Sequence, residues 1–242
     1  MLEALAWGSL AAGSLVLGAL LAFARPWSDR QIGLVLAFGA GALISAVSLE
    51  LAEEGVRAGG FAWTAVGLAA GALTYFALDG LIARRAAARR VAQGLEAPGS
   101  AGTALALGAF LDGVPEQLVL GIGLAEGGGV GASLLVAIFV SNLPEAIGGA
   151  RDMRAAGTGR NRILRLWTGV AVVCAAAAVL GYAIADAASG QARAFIDGFA
   201  AGALLVMLID SMIPEARRCA GRVAGLAAAL GFAVAVALSS LS

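Results

Sequence analysis

Long apolar stretches alternate with short polar breaks along this chain, and the spacing of the breaks sets the architecture. A bilayer core of about 30 Å takes roughly 20 helical residues. Eight stretches of about that length run over 3–24, 31–54, 60–83, 101–125, 129–150, 164–187, 193–214 and 220–241. They predict an all-α integral membrane protein with eight transmembrane helices, a single transmembrane domain over 1–242 that leaves no soluble domain. The one long connection, 84–100, is Arg-rich at its start and closes on Pro98-Gly99-Ser100, the pattern of a surface linker. The opening Met1-Leu2-Glu3 lacks the basic flank of a secretory leader and the apolar run after it is long enough to span, so it reads as the first helix.

Composition sharpens this picture. Apolar residues make up 60% of the 242 positions and charged residues 13%, and the mean hydropathy is +0.90, values that exclude an ordinary soluble domain. Most of the 35 glycines fall inside the apolar stretches, where small residues let helix backbones approach closely. Cys174 lies in mid-stretch and Cys219 follows Arg217 and Arg218 at a helix edge, so no disulfide framework is expected. Histidine is absent, which removes the commonest metal ligand and the usual proton shuttle near neutral pH. Every basic residue is Arg, and Ala and Gly abound, as in GC-rich genomes; the expected location is the inner membrane of a prokaryotic cell.

Arginine placement orients the chain. Fourteen of the 16 arginines fall in alternate connections, beginning with Arg25 and Arg30, and only Arg57 and Arg193 lie on the other side. Short cytoplasmic loops collect positive charge, so both termini are expected to face outward. Internal repeats follow the same geometry. Phe38-Gly39-Ala40-Gly41-Ala42-Leu43 is echoed by Phe199-Ala200-Ala201-Gly202-Ala203-Leu204, and each Phe is followed sixteen residues later by an acid, Glu54 or Glu215. Asp112-Gly113-Val114-Pro115-Glu116 in the fourth stretch pairs with Ser141-Asn142-Leu143-Pro144-Glu145 in the fifth. Both pairs join stretches of opposite direction, so the repeats are inverted, a common construction of transporters.

The second pair carries the candidate chemistry. Asp112 and Glu116 lie four apart on one helix face, as do Ser141 and Glu145, with Asn142 beside them. Each Pro removes a backbone donor and frees the carbonyl one turn earlier, at Leu111 or Val140, a break tolerated in lipid where it lines a cavity. Carboxylates at mid-membrane are costly, and no Arg stands at their depth. A bound cation, bound protons or both would offset the charge. The remaining acids have plainer readings: Glu50, Glu53 and Glu54 as a solvated rim, Asp210 and Glu215 as a hydrated helix end or an exit, Asp79 and Asp197 as interfacial. Trp7, Trp27, Trp63 and Trp167 lie near stretch ends, where an aromatic belt is expected.

These motifs resemble the ZIP family of divalent metal transporters. The family's fourth helix typically reads His-Asn-x-Pro-Glu-Gly and its fifth His-Asn-x-Pro-Glu; here they read Asp112-Gly113-Val114-Pro115-Glu116-Gln117 and Ser141-Asn142-Leu143-Pro144-Glu145. The run from Phe199 to Leu204 and on through Asp210-Ser211-Met212-Ile213-Pro214-Glu215-Ala216 is similar to the family's seventh helix. Asp112 and Ser141 replace the two His positions and Gly113 an Asn. Counting back from Gly181-Tyr182 puts Cys174 where the family has a helix-six Glu.

The resemblance implies a ZIP-like fold, a homodimer, and an elevator-like movement of helices one, four, five and six against the other four. The expected function is transport of a divalent metal ion as substrate, Zn, Mn, Fe or similar, through Asp112, Glu116, Ser141, Asn142, Glu145 and Cys174. Oxygen ligands suit Mn, Mg or Fe(II), and a thiolate favours softer ions. Crowded carboxylates that share protons when the metal is absent make the transport proton-linked. No enzyme activity, organic cofactor or nucleic-acid partner is expected; membrane lipid is. Two rival readings are a non-transporting ZIP-like scaffold or sensor and an intramembrane hydrolase with Asp112 and Glu116 as its acid/base pair. The topology has a direct test: cysteines introduced in 84–100 are labelled only from the cytoplasm and cysteines near Gly127 only from outside, and labelling of both from one side overturns the eight-helix arrangement.

Overall fold

The computed structural model of the chain describes residues 1–92, 100–125 and 132–240, with side chains at all of these except 50, 82, 83, 85–92, 100–112, 132 and 133. The described residues are helical, with short turns and no strand among them. Taken as continuous rods, the helices are α1 (Leu2–Ala24), α2 (Asp29–Gly59), α3 (Phe61–Ala92), α4 (Ser100–Ala125), α5 (Ala132–Ala155), α6 (Arg160–Asp186), α7 (Gln191–Ala220) and α8 (Val223–Ser239). Among the described residues six helices are long and apolar enough to cross a membrane; α8 and the Gly113–Ala125 part of α4 are shorter apolar segments.

Local chemistry explains the punctuation. Ser28 opens α2 through a capping box: its hydroxyl accepts from the Gln31 amide at 3.3 Å, and the Gln31 side chain accepts from the Ser28 amide at 3.2 Å. The turns after α2, α6 and α7 each place a glycine at positive φ, at Gly60, Gly190 and Gly221, where a Cβ would be strained. At α3 the structure departs from the sequence reading. The helix runs on to Ala92 instead of ending at 83, because the Ala- and Arg-rich residues from Ala83 onward are strong helix formers. The rest of the expected linker, 93–99, and the expected start of the fifth helix, 129–131, lie outside the described residues.

The rods run in alternating directions, which produces two chemically unlike ends. At one, Gly33 near the start of α2 packs on Cys219 and Ala220 at the close of α7; at the other, Gly59 meets Gly190 and Gln191 where α7 begins. The α2 and α7 copies of the Phe-led motif are therefore antiparallel. Of the described arginines outside α3, the first end holds all but Arg57 and Arg193. Both of those are neutralised: Arg57 by Glu53 and Glu54, Arg193 by Asp197.

Helices pair through glycines set against partner carbonyls. A Cβ at Gly41 of α2 would fall on the Ala228 carbonyl of α8, and one at Gly231 of α8 on the Phe38 carbonyl of α2. The α3/α7 pair repeats the arrangement: Gly202 meets Leu68 and Gly71 meets Phe199. In each pair the carbonyl of the motif's Phe takes a glycine of the partner. Each motif helix also passes through a π-turn nine residues after that Phe, at Val47–Ala52 and Leu208–Met212. Gly121 and Gly181 join α4 to α6 in the same way, and Gly18 joins α1 to α5. Meanwhile Leu73, Phe76, Leu226 and Leu230 face outward, each at least 59% exposed. Small residues inside and large apolar ones outside suit lipid, not water.

One buried ion pair fastens the Arg-poor end. Arg193, 9% exposed, donates to Asp197 at 3.1 and 3.3 Å, to the Ala185 carbonyl at 3.2 Å and to the Ile122 carbonyl at 3.1 Å. Those carbonyls belong to the last turns of α6 and α4, which lack intrahelical donors and carry partial negative charge. The guanidinium thus ties three helix ends together. Asp197, expected to be interfacial, is instead fully buried, because Arg193 one turn away neutralises it.

Glycine packing yields a graded expectation. Gly41→Ala should lower stability by about 1–3 kcal/mol, whereas Gly13→Ala, where a Cβ meets nothing within 4 Å, should leave it unchanged or raised. Thermal unfolding in detergent measures both, and equal effects would refute the carbonyl-contact account.

Candidate functional site

Three helices bring the sequence candidates together. On α4 stand Gly113, Glu116 and Gln117, on α5 Ser141, Asn142 and Glu145, and on α6 Cys174. Pro115 and Pro144 lie inside their helices, so Val140 loses the intrahelical donor to its carbonyl just before Ser141. Glu116, Ser141, Asn142 and Cys174 are fully buried and Glu145 is half-buried. Asp112 occupies its place on α4, but its side chain lies outside the described residues.

The central contact crosses between the two Pro-Glu motifs. Ser141 Oγ lies 3.1 Å from Glu116 Oε1 and 3.0 Å from the Ile138 carbonyl, so one hydroxyl proton serves two acceptors. The backbone of α2 closes over this point: a Cβ at Gly39 would stand 2.8 Å from Ser141 Cα. Gly113 marks a second convergence. From its Cβ position Cys174 Sγ is 2.9 Å away and Asn142 Oδ1 3.9 Å, which sets the thiol, the amide and the α4 backbone at one level. The missing side chain at 113 and the sulfur at 174 fill the same space.

Unused hydrogen-bonding capacity accumulates here. Neither polar atom of Asn142 finds a hydrogen-bond partner among the described residues, and the same holds for Gln117. A buried amide without partners is unfavourable by roughly 1–3 kcal/mol on mutational scales. Asn142 is therefore a ready oxygen ligand beside Glu116 and Ser141. Gln117 closed the fourth-helix motif in the sequence but was not named as a site residue; its signal was a neutral polar residue in an apolar run, which is weak alone. Its Oε1 lies 3.6 Å from the Cβ position of Gly8, so it faces α1. Among the described residues no three His, Cys, Asp or Glu side chains form a metal-holding group.

The peripheral candidates sort differently. Glu53 is exposed and Glu54 half-buried, both paired with Arg57, and Glu215 is exposed and paired with Arg218. Asp79 and Asp210 are exposed, while the Glu50 side chain lies outside the described residues. Trp63 is 44% exposed, but Trp167 is fully buried, a correction to the belt reading. It belongs to a buried apolar cluster drawn from α1, α5 and α6. Cys174 and Cys219 are both free thiols.

No protein-family model matches this chain, and no curated protein matches it.

The shared space at 113 and 174 predicts a compensation. Gly113→Ala alone should cost about 1–3 kcal/mol, and Cys174→Ala in the same chain should recover most of it, since the clashing sulfur is gone. An equal cost in both backgrounds, read from thermal unfolding, would separate the two positions.

Proposed function

We propose that this chain carries a divalent metal ion across the membrane as a ZIP-like transporter of eight spanning helices. The observation that supports this most is the hydrogen bond from Ser141 to Glu116, buried between two helices that each carry an internal proline, with the unsatisfied amide of Asn142 beside it. Ligands to the travelling ion would be Asp112, Glu116, Ser141, Asn142, Glu145 and Cys174. Carboxylate, hydroxyl and amide oxygens suit Mn, Mg or Fe(II), and the thiol adds affinity for Zn and Cd. The matched glycine contacts and π-turns of α2 and α7 support an inverted repeat, and the two unlike ends support termini facing away from the cytoplasm. The ZIP resemblance further implies a homodimer in the inner membrane and an elevator-like movement of α1, α4, α5 and α6.

One observation favours a second reading, a non-transporting homologue: no three of the classic metal-ligating side chains converge among the described residues. Uptake into proteoliposomes separates the two. Across a panel of Mn, Fe(II), Mg, Zn and Cd, the wild type should accumulate at least one ion, and Glu116→Ala and Glu145→Ala should fall to the empty-vesicle background. Cys174→Ser should reduce Zn and Cd uptake while sparing Mn. A divalent ion favours ionised carboxylates, so binding should release protons and apparent affinity should fall as pH drops. Calorimetry in buffers of different ionisation enthalpy reads that release. No uptake of any ion by the wild type would refute transport; uptake without proton release would refute only the proton linkage.

A further inference from the structure

At the Arg-rich end the carboxylates are unevenly shared. Arg151 takes two of them, bonding Asp29 at 2.6 Å and Asp152 at 3.0 Å. Arg154 and Arg160, close by on α5 and α6, make no ion pair or hydrogen bond among the described residues. Instead both guanidinium carbons lie over the ring of Phe23, at 5.7 and 5.4 Å. Arg25 does the same on Trp27, at 3.8 Å. Two like charges drawn to one ring repel each other, and cation–π attraction at an exposed site returns only about 0.5–1 kcal/mol each.

Contact with a ring face satisfies none of a guanidinium's N–H donors, so the fork that matches a phosphate is left for another partner. The ring sits in the last turn of α1, at the end of a span-length apolar helix, which is the level of lipid headgroups. Helix α6 begins at Arg160, and no side chain caps its first amides, so its partial positive charge adds to the same spot.

We propose that Phe23, Arg154 and Arg160 form a binding site for the phosphate of an anionic membrane phospholipid at the Arg-rich end. The phosphate bridges the two guanidiniums and supplies the negative charge that Asp29 and Asp152 give to Arg151. Its acyl chains run along the apolar outer surface. This site is independent of the transport reading.

The test uses the full-length protein in nanodiscs and detergent, with bound lipid counted by native mass spectrometry and thermal stability measured on addition of phosphatidylglycerol, phosphatidylcholine or inorganic phosphate. Wild type should retain and be stabilised by phosphatidylglycerol in preference to phosphatidylcholine. Each surface arginine contributes on the order of a fivefold preference for anionic lipid, so Arg154→Gln with Arg160→Gln should weaken retention by about 30-fold. Arg162→Gln, which removes a charge from the same end without touching Phe23, should cost far less. Replacing both arginines by Lys keeps the charge but loses the fork, and should still lose most of the preference. Equal retention of the two lipids by wild type overturns the site, as does an Arg162→Gln loss as large as that of the double variant. Stabilisation by inorganic phosphate matching that by phosphatidylglycerol would overturn the lipid assignment in favour of a soluble phosphate.

Discussion

Apolar side chains gain little by leaving lipid for one another, so helices in a bilayer hold together only where their surfaces fit closely enough for dispersion and polar contacts to act. This constraint governs the whole chain. Glycines at Gly41, Gly71, Gly121, Gly181, Gly202 and Gly231 bring helix backbones against partner carbonyls, and the pairs they define, α2 with α8, α3 with α7 and α4 with α6, are the units of the fold. Large residues such as Leu226 and Phe76 are left outside, where in water they would be a liability.

Close packing also fixes where polar groups can stand. Gly39 of α2 lies directly over Ser141, so the α5 motif is covered by backbone and its hydroxyl is left to meet Glu116 on α4. A larger residue at Gly39 would push α2 away and open that contact. At Gly113 the same economy of volume admits the Cys174 sulfur to the level of Asn142. The polar cluster is thus a product of small residues around it as much as of the polar residues themselves.

Charge is handled by a different rule at each end. Where arginines are few, each is matched by carboxylates, and Arg193 in addition holds the carbonyl ends of α4 and α6. Where they are many, the acids run short, and Arg25, Arg154 and Arg160 rest on aromatic rings. Buried charge requires full compensation because its desolvation is costly. At the surface, water and headgroups relax that demand.

What the sequence determined by itself was the periodic part. Apolar runs of membrane-spanning length, the arginine asymmetry, the Phe-led echo in α2 and α7 and the two Pro-Glu motifs are one-dimensional patterns; the helix ends are not, since α3 continued through Arg84 to Ala92 and α2 and α7 ran on to Gly59 and Ala220. Tertiary structure alone decided what depends on which faces meet. Asp197 and Trp167, read as interfacial from their nearness to stretch ends, are buried, because a helix end can be covered by neighbours: Arg193 and two helix termini in one case, an apolar cluster of α1, α5 and α6 in the other. Gln117 gave no signal in sequence beyond its polarity, and Gly113 and Cys174 looked unrelated at 61 positions apart. Their contact depends on how closely α4 approaches α6, and that distance is set by the atoms missing from glycines on both helices, a quantity that only the packed bundle fixes.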